Sequence, residues 1–191
     1  MRSGETRFST YTAPPPKNPM TPKRLLLLAL AAFTLTASAK PIPDLKFQDL
    51  ASHTQKLSDL RGSITVISFW ATWCGPCKEE LPRLSALSQH YTDKGIRFIA
   101  ISADDSKDRA KIEQYIKGQG ITLEVWTGAD LGTLDHLHLG NVLPATLILD
   151  KDGTPIGRIM GEAQDADITT YLNWLLSDRS TPPPTPTLKR Y

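Results

Sequence analysis

From Ser63 to Ala71 the chain reads SITVISFWA, a run of β-branched and aromatic residues without polar alternation. Such a run suits a central strand buried on both faces. Beyond it, Leu81, Leu84, Leu87 and Tyr91 recur at helical spacing between Gly75 and about Thr92, and Gly95 closes the segment. IRFIAIS, ending at Ser102, reads as a second buried strand. The next stretch carries Ser106 as a candidate cap, Ile112, Tyr115 and Ile116 on one face, and terminal glycines, which predicts an amphipathic helix. ITLEVWTG predicts a strand, ADLGTLDHLHLG a short helix, and ATLILDKDGTPIGRIM two strands about a Lys-Asp-Gly turn. A last helix is expected from Asp165 to about Leu176, and DLKFQDL with TQKLSDLRG predicts a hairpin-like pair ahead of the first central strand. Strands alternating with helices, closed by a hairpin, imply an α/β fold with a mixed sheet and helices on both faces.

The 191 residues, 40% hydrophobic and 22% charged, have room for one ordinary domain. The formal charge of +2 conceals an asymmetry: residues 1–39 hold five Lys or Arg against one acid, leaving 17 bases and 19 acids from Lys40 onward. The body thus lacks the basic stripe that phosphate binding requires, and nucleic acid is not expected as a partner. In MTPKRLLLLALAAFTLTASAK, two bases precede an apolar run and the small residues Ala37-Ser38-Ala39, the organisation of a secretory signal peptide. Translation starting at Met20 would fit this better than Met1. Cleavage is the favoured reading and an uncleaved anchor the alternative, because Leu25 to Ala39 spans only 15 residues, where a membrane helix wants about 20. The organisation expected is therefore a leader at 1–39, a domain at 40–179 and a Pro-rich disordered tail at 180–191, STPPPTPTLKRY.

The two cysteines, Cys74 and Cys77, are three apart, behind Trp73 and at the junction of a strand and a helix. A structural disulfide is the ordinary use of cysteine in a secreted chain, but closing a two-residue loop removes little unfolded-state entropy. A structural zinc site wants four ligands, and His53, His90, His136 and His138 do not cluster near the pair in sequence. The third reading is redox chemistry. At a helix mouth Cys74 would lie by unpaired N–H groups whose partial positive charge favours a thiolate, the attacking species in disulfide exchange. Cys77, one turn further in, would attack second. Pro76 suits the first turn, and Gly75 leaves the approach to the Cys74 sulfur uncrowded.

WCGPC, with Pro82 in the following helix and VLPATLILDKDG later, resembles the thioredoxin-fold oxidoreductases over nearly the whole body, from about Ile42 to Leu176. CGPCKEELP is similar to the motif of the TlpA-like and ResA-like extracytoplasmic thiol–disulfide oxidoreductases, which places Glu80 where that group has its functional glutamate. Ser68 stands where thioredoxin itself has an acid. The resemblance implies that Cys74 and Cys77 form a redox-active disulfide, with Glu80 passing a proton to and from Cys77. Desolvation would raise the pKa of a buried Glu80 and suit it to this task near neutral pH. It also implies a cis bond at Leu143-Pro144, which leaves the Leu143 backbone free to pair with a client segment. Trp73 would cover the other side of the groove, with Gly75 and Pro76 contributing to it. Trp70, Trp126 and Trp174 are expected in the core or groove wall, and the segment around Val125 to His138 resembles the extra strand and helix of TlpA-like proteins.

The reaction implied is reduction of client protein disulfides, with no cofactor beyond the two sulfurs. Thioredoxin and DsbA differ by roughly 150 mV, about 7 kcal/mol for two electrons, and Gly75-Pro76 is the dipeptide of the reducing end. A reductant in an oxidising compartment implies a membrane thiol electron donor of the DsbD or CcdA kind. Clients range from apocytochrome c thiols and copper-site proteins to scrambled disulfides. CcmG-type cytochrome maturation proteins have an acid after the cis-proline where this chain has Ala145, which lowers that choice. The alternatives are a disulfide oxidant or isomerase, a peroxidase of the peroxiredoxin kind, for which Cys74 lacks the Thr-x-x-Cys setting, and a thioredoxin-fold binding module without redox catalysis.

Overall fold

In the computed structural model, Thr12 and residues 42–191 are described. The leader, its start at Met20 and its cleavage or retention lie outside those residues. Among the described residues no helix is long and apolar enough to cross a membrane.

The described body opens with an antiparallel pair, β1 (Lys46–Asp49) and β2 (Thr54–Lys56), followed by a 3-10 turn at Leu57–Leu60. Then come β3 (Thr65–Trp70), helix α1 (Gly75–Gln89), β4 (Arg97–Ser102), α2 (Arg109–Gly118), β5 (Glu124–Thr127) and the short α3 (Leu131–His136). The body closes with β6 (Ala145–Leu149), β7 (Pro155–Gly161), α4 (Asp165–Leu176) and β8 (Thr187–Arg190). One eight-stranded sheet has the order β2-β1-β5-β4-β3-β6-β7-β8. β3, β4 and β5 run parallel, as strand–helix–strand units demand, whereas β6 is antiparallel to β3 and β7 to β6. This is the expected thioredoxin-like α/β architecture with a mixed sheet.

The central strand shows why its sequence lacks alternation. Every residue of β3 is buried, but its two faces enter different cores. Val66 and Trp70 join Cys77, Leu81 and Leu84 of α1, Ile112 of α2 and Ile168, Tyr171 and Leu172 of α4. Ile67 and Phe69 point the other way, into a core with Leu57 and Leu60 of the 3-10 turn and Leu134, Leu137 and Leu139 in and after α3. Helical segments therefore cover both faces, since each face of a strand buried in mid-sheet needs an apolar cover.

Two local expectations change. Ser106 does not cap α2: Ser106–Asp108 forms a separate 3-10 turn and the α-helix begins at Arg109. Trp174 is only partly buried, its ring beneath the Arg179 guanidinium at 5.2 Å, whereas Trp70 and Trp126 are full core residues.

The larger correction concerns the Pro-rich segment. Instead of a free tail, it returns to the sheet, where β8 pairs parallel with β7 from Arg158 to Gly161. A proline-rich stretch has carbonyl acceptors in excess of N–H donors, and the body supplies donors for three of them. Trp174 Nε1 donates to the Thr181 carbonyl at 3.0 Å, the Tyr171 hydroxyl to Thr185, and the Arg158 amide to Pro186 at 3.0 Å. Arg190 then pairs with Asp167. Gly161 permits the close approach, because a Cβ there would fall 2.2 Å from the Arg190 carbonyl oxygen.

Candidate active site

β3 ends at Trp70, and the three residues Ala71, Thr72 and Trp73 carry the chain to α1. Cys74 is the N-cap of that helix: its amide donates to the Ala71 carbonyl at 3.1 Å, and its Sγ accepts from the Cys77 amide at 3.3 Å. A sulfur atom thus occupies the place where capping side chains satisfy a free helical N–H. Cys74 and Cys77 are joined in a disulfide, with Cα atoms 5.3 Å apart. Cys74 retains 6% exposure and Cys77 1%, so the first cysteine is the more accessible residue. Pro76 lies in the first turn, where its missing N–H removes no helical bond. At Gly75 a Cβ would meet nothing within 4 Å, so the space beside the leading cysteine is open. Trp73, 68% exposed, stands at the rim.

Pro82 lies inside α1 and cannot donate to the carbonyl four residues back, that of Lys78. The Tyr115 hydroxyl of α2 takes that role, donating to Lys78 O at 3.0 Å. The helix that presents the cysteines is thereby tied to its neighbour at its first turn.

Glu80 is 1% exposed, on α1 one turn beyond Cys77. Its Oε1 accepts from the Ser68 hydroxyl of β3 at 3.0 Å and its Oε2 from the Ala163 amide at 2.6 Å. Burial pushes its pKa up to about 7, opposed by the Ala163 amide, the Ser68 hydroxyl and the charge of Arg83. Arg83, one turn on, donates to the Ala163 carbonyl at 3.2 Å and pairs with Glu162 and Asp165. The segment between β7 and α4 is so clamped that its amide points at the carboxylate.

At the head of β6, the neighbour of β3 in the sheet, the Leu143-Pro144 peptide is cis. The Pro144 carbonyl accepts from the Gly161 amide at 3.0 Å, while Leu143 packs partly buried between the two cores. Neither backbone group of Leu143 bonds to another described residue. Cys74, Cys77, Glu80, Leu143 and Pro144 thus belong to elements adjoining in the middle of the sheet, β3–α1 and the start of β6, with Trp73, Gly75 and Pro76 outside. Among the described residues no group of three or more His, Cys, Asp or Glu side chains could hold a metal ion.

Two members of the site escape sequence reasoning. Ser68 stands out in the sequence only for lacking a carboxyl, yet it is the hydroxyl partner of Glu80. Asp104, two residues beyond β4 and 4% exposed, accepts from the Thr72 amide at 2.9 Å, the Thr72 hydroxyl at 2.6 Å and the Ser102 hydroxyl at 2.7 Å. Its one sequence signal is that of an acid two residues past the end of a buried strand, parallel to the one leading into the cysteines.

A family model described as AhpC/TSA family matches residues 39–154. The thiol-disulfide oxidoreductase ResA of Bacillus cereus is 31% identical over 134 residues, 70% of this chain and 75% of that protein. ResA of Bacillus subtilis (strain 168) is 28% identical over 131 residues, 69% of this chain and 72% of that protein. Among solved structures, a thiol:disulfide interchange protein of the thioredoxin family from Chlorobium tepidum TLS superposes with a TM-score of 0.62 at 23% identity, covering 74% of this chain and 99% of that one. A secreted thiol-disulfide isomerase from Corynebacterium glutamicum gives a TM-score of 0.61 at 22% identity, covering 70% and 83%. At such identities these two bear on the fold.

Proposed function

The chain belongs to the AhpC/TSA family, with ResA thiol-disulfide oxidoreductases among its relatives, and we propose that it reduces disulfides of client proteins outside the cytoplasm by dithiol–disulfide exchange. The observation that carries this reading is a capping cysteine bonded to a second cysteine one turn on, with a buried carboxyl one turn further. In the dithiol form, the Cys74 thiolate attacks one sulfur of a client disulfide. The client S–S bond breaks, a mixed disulfide forms, and one client sulfur leaves as a thiolate that takes a proton. Glu80 accepts the proton of Cys77, whose thiolate attacks the Cys74 sulfur. The second client sulfur leaves, two electrons have passed to the client, and the Cys74–Cys77 disulfide is restored.

A carboxyl with its pKa near 7 is matched to proton transfer at neutral pH. The unbonded Leu143 backbone beside the cis-proline and the exposed Trp73 supply a place for an extended client segment. The sulfurs carry the electrons, so no further cofactor takes part. The signal-like segment ending at Ala39 supports secretion to the periplasm or an equivalent space, and recharging the dithiol there calls for a membrane thiol donor of the DsbD or CcdA kind. If the leader is retained, the domain works tethered to the membrane.

Two variants test the scheme. Cys74→Ser should abolish reduction of insulin disulfides without changing the circular dichroism spectrum. Cys77→Ser should hold clients as mixed disulfides on Cys74, identifiable by mass spectrometry. Insulin reduction that persists without Cys74 would overturn the reading.

A further inference from the structure

The mechanism above uses Glu80 and leaves the other buried carboxylate near the cysteines without a role. Asp104 receives three hydrogen bonds, two of them from Thr72, in the loop that ends at Cys74. Its own amide donates to the Ser102 hydroxyl at 3.0 Å, which fixes the carboxyl against the strand end. Among the described residues it forms no salt bridge, and its partners are a backbone amide and two hydroxyls. Hydrogen-bond donors of that kind suit an ionised carboxylate but leave its charge uncancelled.

We propose that Asp104 is a positioning residue that both fixes the Ala71–Trp73 loop and sets an uncompensated negative charge beside Cys74, holding the cysteine pair toward the reducing end. The proposal rests on the disulfide-exchange reading of the pair. Only Trp73 separates Thr72 from Cys74, so chain reach puts the carboxylate within roughly 10 Å of the sulfur. At that range, inside a protein, a negative charge disfavours a thiolate measurably. The disulfide carries no charge, so Asp104 penalises the dithiol-thiolate form selectively, which lowers the reduction potential. The helix mouth favours the thiolate, and Asp104 opposes it from the strand side.

Other charged groups on the surrounding elements are Lys78, Glu79 and Glu80 on α1, Asp105 and Lys107 before α2, and Asp130 at the head of α3. Asp105 and Lys107 pair with each other at 3.0 Å, Asp130 is held by Thr133, and Glu80 is bonded to Ser68 and Ala163.

Asp104→Asn separates charge from shape. The amide oxygen can accept from the Thr72 amide and Ser102 while the amide nitrogen donates to the Thr72 hydroxyl, which turns round to accept. On phosphine-reduced protein, followed by thiolate absorbance, the variant should lower the Cys74 pKa by about one unit. In glutathione buffers it should shift the dithiol–disulfide equilibrium toward dithiol by up to about tenfold, roughly 30 mV for two electrons. In that exchange, glutathione disulfide takes two electrons and becomes two glutathione thiols as the protein dithiol becomes the disulfide. Thr72→Ala loosens the loop but keeps the charge, and should lower the melting temperature with the Cys74 pKa nearly unchanged.

An Asn variant with wild-type pKa and potential would overturn the proposal, as would a Thr72→Ala shift equal to that of Asn. Should the Asn variant fail to fold, a second charge-removing substitution carries the same test. The reading then passes to Asp104→Ser, which also removes the charge and keeps an oxygen acceptor, and a glutathione equilibrium equal to that of the wild type would refute the proposal. Failure of insulin reduction in the wild type would instead strike the proposed function, leaving the pKa comparison to stand or fall alone.

Discussion

The Ser68 hydroxyl of β3 donates to Glu80 Oε1 of α1 at 3.0 Å, inside a core where neither residue meets solvent. The bond favours the ionised carboxylate, so Ser68→Ala should raise the Glu80 pKa further above its ordinary value. Losing a hydrogen bond to a charged acceptor costs about 1.5–3 kcal/mol, and here the loss should be largest above pH 7, where Glu80 is ionised. Urea unfolding of the disulfide form at pH 5 and pH 8 checks both the size and its growth with pH.

Glu80→Gln addresses the same carboxyl from the opposite side. The folded pKa, about 7, exceeds the ordinary 4.5, so between these values the native state holds a proton that the unfolded chain has released. Stability therefore falls as pH rises through this window. The full penalty above pH 7 is about 3 kcal/mol. The Gln variant should match the wild type near pH 4 and be the more stable protein at pH 8, while on the proposed scheme client reduction slows for want of a proton acceptor beside Cys77. Equal pH slopes for the two proteins in denaturant titrations would contradict this account.

Tyr115→Phe tests the link between the first two helices. Removing the hydroxyl leaves the Lys78 carbonyl, already without a helical donor because of Pro82, unsatisfied in that direction. A loss of about 1 kcal/mol is expected, a fall in melting temperature of roughly 2–4 °C for a chain of this size. Differential scanning calorimetry measures it.

Shortening the chain to end at Ser180 would remove β8 and the acceptors of Tyr171, Trp174 and Arg158. The Arg158 amide should then exchange with deuterium much faster, and Trp174 fluorescence should shift to the red. An Arg158 amide equally labile in both chains would show that the strand pairing is not maintained in solution.

How much of this is legible from residues alone depends on whether the signal is local. The unbroken apolar run of β3 and the spacing of Leu81, Leu84 and Leu87 reflect nearest neighbours in the chain, and they point to the right elements. The cysteine pair is legible for the same reason, since its members sit within one helical turn. Partners brought together by topology leave no such trace. Glu80 meets Ala163 across 83 residues and Thr72 meets Asp104 across 32, and nothing in the spacing of either pair announces the bond. Residues 187–190, Thr-Leu-Lys-Arg, carry no strand pattern. They are ordered by donors on α4 and β7 that sequence composition does not reveal, so the expectation of a free tail fails for want of tertiary information rather than of propensity.

The two-sided burial of β3 has a practical corollary. Val66, Ser68 and Trp70 serve the layer that holds Glu80 and Cys77, while Ile67 and Phe69 serve the opposite layer around Leu134 and Leu137. Sequence drift or deliberate redesign on that far layer can proceed without touching the atoms that exchange electrons. The exposed Leu131 of α3, on the helix that covers this layer, is the natural place to install a spectroscopic reporter or an immobilisation handle, whereas Ile67, Phe69, Leu134 and Leu137 are fully buried.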